Sequence, residues 1–133
     1  MSETDEPREP ADEWFERADE NLRAAERMLA PSPLPRDAFF HAQQSVECAL
    51  KGYLSSRSRP IERTHDLVAL VRECAETDSE FLELGPPASG LTPGAVDARY
   101  PGTPFSVTPK DAAIAVQTAS GMVRFVRLRV SRK

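Results

Sequence analysis

Residues 39–51 have the sequence FFHAQQSVECALK, and residues 63–67 have the sequence RTHDL. In the first stretch apolar residues recur at intervals of three and four positions, which is the spacing of one face of an α-helix. These residues are Phe39, Ala42, Val46, Ala49 and Leu50, and Tyr53 continues the pattern. The two stretches also contain both histidines of the chain, His41 and His65. They therefore indicate a helical fold and hold the side chains best suited to proton transfer near neutral pH.

The sequence before this stretch predicts a first helix of similar length. Trp14, Ala18, Leu22, Ala25 and Leu29 form its apolar stripe, with charged residues on the other side. The prolines of residues 31–35 end that helix, so a second helix is expected from Arg36 to about Ser55. The short connection favours antiparallel packing of the two helices.

The sequence after residue 55 predicts shorter helices and one long loop. Thr64 or Asp66 can cap a third helix that carries Leu67, and Ser79 can start a shorter one. Residues 85–109 contain six of the twelve prolines and four of the six glycines. We therefore expect no regular structure there apart from a turn.

A final helix is predicted from Asp111 to about Val130. Thr108 is a typical N-cap residue, and Pro109 suits the first turn of a helix. Residues 112–116 are apolar around most of the helix, so its first half is expected to lie in the core or at the interface of a homodimer. The side chains expected in the core are Leu22, Val46, Leu50, Leu70 and Ile114.

The two quoted stretches resemble signatures of the HEPN domain family, small helical domains of nucleotide-related and RNA-related systems. In that family the first stretch lies on a long second helix, and the second opens the helix that follows. The resemblance covers about residues 12–128. It implies an all-α fold, an up-down helical bundle of four to five helices. We expect residues 11–130 to form this domain and residues 1–10 to form a disordered N-terminal tail.

The composition argues against several classes of function. A formal net charge of −4 is not that of a basic nucleic-acid-binding domain, so any RNA contact is expected to be local. No long uncharged apolar run and no signal-peptide pattern occurs, which predicts a cytoplasmic protein without a membrane span. Cys48 and Cys74 lie in apolar periodic stretches and are expected in the core.

Each histidine follows an arginine at short distance: Arg36 precedes His41 with four residues between them, and Arg59 precedes His65 with five. This spacing resembles that of HEPN ribonucleases, which have an arginine and a histidine at a comparable separation. A histidine can exchange the proton of a ribose 2′-hydroxyl while an arginine stabilises charge on the phosphate. The catalytic candidates are therefore His41 and Arg36. The sequence leaves open whether the protein is an enzyme.

Both histidines also have structural explanations. His41 can form a hydrogen bond to Gln43 or Gln44 at a helix or subunit interface. His65 lies between two residues that can cap the third helix. A zinc site formed by the two histidines with Asp66 or Glu47 lacks clustered ligand spacing, so no metal and no cofactor is expected.

A second candidate binding element is Arg99-Tyr100, within the predicted loop. With the following proline, this pair resembles a recurrent Arg-Tyr-Pro element of HEPN domains. A guanidinium beside an aromatic ring can hold a phosphate and stack a base, but the same residues can anchor a loop on the core. The expected nucleotide-binding or RNA-binding residues are Arg99, Tyr100, His65 and Arg59.

Domains that resemble this one are commonly encoded beside a minimal nucleotidyltransferase. The resemblance therefore implies a component of a toxin-antitoxin or nucleotidyltransferase-partner system that binds nucleotide or RNA as a homodimer. One alternative is a metal-independent endoribonuclease. Another is a non-catalytic dimerisation or scaffold module.

Overall fold

The computed structural model describes residues 10–92 and 107–131. Within those ranges the chain forms helices and no strand. The α-helices are α1 (Pro10–Arg27), α2 (Pro35–Ser56), α3 (Leu67–Ala75), α4 (Gly85–Gly90) and α5 (Pro109–Val130), and a 3-10 segment (Ser79–Leu84) lies between α3 and α4. The prediction of an all-α bundle is confirmed.

Helix α2 is the central element of the bundle. It packs most extensively against α1 and then against α5, and it also contacts α3. Every residue from Ser45 to Leu54 is buried, which requires neighbouring elements on all sides of this part of the helix. The stretch that identifies the fold in the sequence is therefore also the part of the chain that the other helices enclose.

The predicted core is largely confirmed, with one error. Val46, Leu50 and Leu70 are fully buried, and Leu22 packs against the core while partly exposed. Ile114, however, is 54 % exposed. The buried face of α5 is formed by Ala112, Ala115, Val116, Ala119, Met122, Val123 and Val126. Ile114 lies on the opposite face, because α5 packs against α2 through the face that carries the small alanines.

The helix ends follow the predicted capping chemistry. Asp66, rather than Thr64, is the N-cap of α3, and its side chain accepts a hydrogen bond from the Ala69 backbone N–H. At α5 the Thr108 hydroxyl accepts from the Asp111 backbone N–H, and the Asp111 carboxylate accepts from the Thr108 backbone N–H. This reciprocal pair is a capping box, which satisfies two backbone donors at once.

The expectation that residues 85–109 lack regular structure is wrong at their beginning. Helix α4 occupies Gly85–Gly90 and contains Pro86 and Pro87 in its first turn. Prolines are tolerated there because the first backbone N–H groups of a helix have no partner within it. Residues 1–9, most of the predicted tail, and residues 93–106, including Arg99 and Tyr100, lie outside the described residues.

Helices α1 and α2 approach each other closely at Gly52. A Cβ atom at this position would lie 3.0 Å from the Phe15 ring and 3.1 Å from Trp14 Cβ. We expect Gly52→Val to destabilise the protein by about 1–3 kcal/mol, since the added atoms overpack this contact. Urea denaturation would measure the change. Gly90→Val is the control, because a Cβ at Gly90 meets no atom within 4 Å among the described residues; equal losses for the two variants would contradict the close approach.

Candidate functional site

A buried carboxylate of α2, Glu47, has two basic side chains as partners. Its Oε2 atom lies 3.0 Å from Lys51 Nζ, and its Oε1 atom lies 2.9 Å from His65 Nδ1. Glu47 and Lys51 are four positions apart on α2 and therefore share a face of the helix. His65 comes from the segment that leads into α3, where Asp66 caps the helix and fixes its start. We call these three residues the Glu47 cluster.

The three members differ sharply in exposure. The side chains of Glu47 and Lys51 are 6 % and 8 % exposed, whereas that of His65 is 83 % exposed. Each carboxylate oxygen has its own partner, as buried ions require. His65 therefore has one ring nitrogen engaged by the carboxylate, while the rest of the ring faces solvent. A carboxylate that orients an imidazole in this way is a common arrangement for proton transfer.

The surroundings of the cluster come from α1. The Trp14 ring lies 5.7 Å from Lys51 Nζ and 5.4 Å from Arg17 Cζ, distances at which a cation is attracted to an aromatic face. The neighbouring Cys48 is buried, and burial together with the adjacent Glu47 carboxylate raises the pKa of its thiol. Burial also raises the pKa of the Cys74 thiol to about 12. Neither cysteine is suited to act as a nucleophile, because the thiolate is the reactive form.

His41 lies in a different environment from His65. Its Nδ1 atom is 2.8 Å from Asn21 Oδ1, across the α1–α2 contact, and Asn21 Nδ2 donates to the Arg17 carbonyl. The Phe40 ring meets the imidazole edge-on at 5.5 Å between centroids. A hydrogen bond at a helix interface was one of the two expectations for His41, although the partner is Asn21 and not Gln43 or Gln44.

The two arginines predicted with the histidines, Arg36 and Arg59, lie in different surroundings. Arg36 is exposed in the first turn of α2, five residues before His41, which corresponds to about 140° of rotation and about 7.5 Å along the helix. The two side chains therefore lie on different faces. Arg59 donates to Glu76 Oε1 at 2.6 Å. The Arg59 guanidinium, which the sequence predicts as a phosphate ligand, is therefore paired with the Glu76 carboxylate.

The two histidines are also separated from each other. His41 contacts α1, whereas His65 contacts Glu47, six positions further along α2 and on another face. A site that includes His65 therefore does not include His41 within one chain. The sequence suggests Glu47 only as a possible zinc ligand, and it does not suggest Lys51 at all. Their signal is an acid and a base four positions apart in the mostly apolar stretch of residues 45–54, which implies a buried ion pair.

A further cation lies close to His65 in the chain. Arg63 is exposed two residues before it, and no acid among the described residues pairs with it.

Within the described ranges, no three histidine, cysteine or acidic side chains gather as a metal site would need. None of the described helices combines the length and the apolar character needed to cross a membrane.

Comparison with known proteins agrees with this fold. The family model of the HEPN domain matches residues 11–129. The structure is similar to TT1696 from Thermus thermophilus, with a TM-score of 0.73, 28 % sequence identity, and coverage of 90 % of this chain and 98 % of that one.

It is also similar to ST0689, an archaeal HEPN homologue, with a TM-score of 0.71, 23 % identity, and coverage of 90 % and 97 %. No curated protein matches the sequence significantly. Because the family model matches nearly the whole chain, the protein belongs to the HEPN domain family.

Proposed function

We propose that this HEPN protein binds a nucleotide or RNA as a homodimer and works with a minimal nucleotidyltransferase, as a component of a toxin-antitoxin type system. The observation that carries the proposal is the exposed His65 imidazole, held at 2.9 Å by the buried Glu47 carboxylate. A protonated imidazole in this position presents a fixed donor to a phosphate oxygen.

Two exposed basic side chains that lie close together in the chain, Arg63 and His65, support this role. Arg63 lies two positions before His65 and is exposed, as are the neighbouring acids Glu62 and Asp66, and the Lys51 charge is already balanced by Glu47. We propose that a phosphate binds the His65 imidazole together with the Arg63 guanidinium, while the buried Glu47 carboxylate is balanced by Lys51. Such contacts release counterions, so binding is expected to weaken as salt is added.

The homodimer rests on a separate observation. Ile114 and Leu128 of α5 are 54 % and 58 % exposed. Large apolar side chains on one helix face are typical of a subunit interface. Light scattering at micromolar concentration would give the mass in solution, and a monomer would contradict this part of the proposal.

Binding is tested with a fluorescently labelled single-stranded RNA and with ATP, by anisotropy and calorimetry at two salt concentrations. We expect His65→Ala to weaken binding by about tenfold, as loss of a charge-assisted hydrogen bond does. His41→Ala is the matched control, because His41 bonds Asn21 and not the Glu47 cluster. The site proposed from the sequence, His41 with Arg36, predicts the reverse ranking. No binding of either ligand would favour a scaffold role.

The same imidazole favours a second candidate function, metal-independent RNA cleavage. His65 would accept the proton of a ribose 2′-hydroxyl, whose oxygen attacks the adjacent phosphorus as the 5′-oxygen leaves and takes up a proton. The products are a 2′,3′-cyclic phosphate and a free 5′-hydroxyl. In the presence of EDTA we expect His65→Ala to lower the cleavage rate about 10²-fold to 10⁴-fold. If RNA stays intact with the unaltered protein, cleavage is contradicted and binding remains as the proposed role.

The nucleotidyltransferase partner has its own test. Co-purification of this chain with the product of the adjacent gene would show a complex. A neighbour that encodes no nucleotidyltransferase, together with no effect on growth when this chain is expressed alone, would contradict the toxin-antitoxin assignment.

A further inference from the structure

We propose that two copies of the chain pair through α5 in antiparallel orientation, with the two-fold axis passing beside Gly121. This inference rests on the proposed homodimer and assigns its interface. The residues that carry it form a line along the outer face of α5: Ile114, Gln117, Gly121, Arg124 and Leu128. We call this line the α5 seam.

The seam has the spacing of a helix-packing face. Its members follow one another at intervals of three, four, three and four, and all five are exposed. That spacing keeps side chains on one stripe of a helix and allows a second helix to pack at a shallow crossing angle of about 20°. Its two ends are large apolar side chains, Ile114 and Leu128.

The seam is more complementary to itself in the antiparallel orientation than in the parallel one. Ile114 and Leu128 each lie seven positions from Gly121, and Gln117 and Arg124 lie four and three positions from it. A two-fold axis at Gly121 therefore places Ile114 against Leu128 of the second copy, and Gln117 close to Arg124 of the second copy. The side-chain amide oxygen of Gln117 can accept from that guanidinium. A parallel pair would instead bring the two Arg124 side chains together.

Gly121 suits the position on the axis. A Cβ atom there would meet no other described atom within 4 Å, so the glycine is not required by packing within the chain. On the seam, however, the missing side chain lets two helix backbones approach closely, since interaxial distance depends on the side chains at the contact.

The cations next to the seam do not oppose pairing. Arg127 donates to Asp19 Oδ2 at 2.6 Å, and Arg129 pairs with Glu80 and Asp78. These acids from α1 and from the segment around the 3-10 helix balance the basic end of α5 within each copy. Arg124 is the seam cation that remains, and the antiparallel register gives it a polar partner.

A groove provides room for the incoming side chain. An open groove of about 320 Å³ lies between α1 and α5; Leu22, Val123 and Leu128 form its apolar walls, and polar side chains form the rest of its lining. In the antiparallel register Ile114 of the second copy falls beside Leu128, at the edge of this groove. Each contact of the seam occurs twice, because a two-fold pair is isologous.

The test uses charge substitutions on the full chain, with mass measured by analytical ultracentrifugation at micromolar concentration and folding checked by circular dichroism. We expect Ile114→Lys and Leu128→Glu each to give a folded monomer, because each places a charge against an apolar side chain. The variant with both substitutions should dimerise again, since the ammonium introduced at position 114 then meets the carboxylate introduced at position 128 of the other copy, on both sides of the axis. Leu82→Glu is the control, because Leu82 is 60 % exposed in the 3-10 segment and off the seam.

The outcomes separate the interface from the dimer itself. A parallel pair would keep the double variant monomeric, because like charges would meet. Dimers unaffected by either single substitution would retain the proposed homodimer and overturn the α5 seam. A monomeric unaltered protein would overturn both. As an independent measure, oxidised Gly121→Cys should form a disulfide-linked dimer, whereas Leu82→Cys should not; the native cysteines Cys48 and Cys74 are buried and do not compete.

Discussion

Replacing Lys51 with methionine is expected to destabilise the protein by about 3–5 kcal/mol, because the substitution leaves the Glu47 carboxylate buried without its ammonium partner. Lys51 Nζ and Glu47 Oε2 are 3.0 Å apart, and both side chains are less than a tenth exposed. The remaining partner, His65, is largely exposed and cannot replace a buried cation in full. Urea denaturation at neutral pH would measure the free energy of unfolding.

The matched control removes both charges of the pair. Glu47→Gln with Lys51→Met should recover most of the loss, because neutral side chains of similar size carry no ionic desolvation cost. With Glu47→Gln alone as the fourth member, the double-mutant cycle gives the coupling energy between the two positions. If Lys51→Met were as stable as the unaltered protein, Lys51 would not be the buried partner of Glu47. If the double variant were no better than the single, packing rather than charge would explain the loss.

The bundle could be predicted well where local sequence patterns determine structure. The apolar spacing of residues 39–51 identified α2, and the Thr108-Pro109 pair with Asp111 identified the start of α5. Both signals act within a few residues, since a helical stripe has a fixed period and a cap forms within one turn. The exposure of Ile114 could not be found in this way, because the apolar run of residues 112–116 covers several faces of the helix.

The candidate site was predictable only in part, because its contacts join residues that are far apart in the sequence. Both histidines stood out in the sequence, but their partners are distant along the chain. His41 bonds Asn21, twenty positions away, and His65 bonds Glu47, eighteen positions away. No periodic pattern specifies which helix faces meet across the bundle. The packing of α1, α2 and α3 therefore decides that His65 has an ionic partner and His41 an amide partner.

The second large effect is expected at Phe81, in the 3-10 segment. Phe81 is fully buried, and its ring lies 4.4 Å from the Tyr53 ring of α2 and 5.4 Å from the Phe125 ring of α5, measured between centroids. It therefore links a short element to both long helices. Phe81→Ala is expected to cost about 3–5 kcal/mol, since it removes buried area and leaves a cavity.

The neighbouring residue provides a control for this prediction that shares the same local backbone. Leu82 is 60 % exposed, so Leu82→Ala should change the free energy of unfolding by no more than about 0.5 kcal/mol. The contrast between adjacent residues tests the register of the segment and not merely its presence. A register shifted by one position would reverse the ranking, because Leu82 would then face Tyr53. Equal and small losses would mean that the segment does not dock on the core, and that α2 and α5 are held together by their own contact alone.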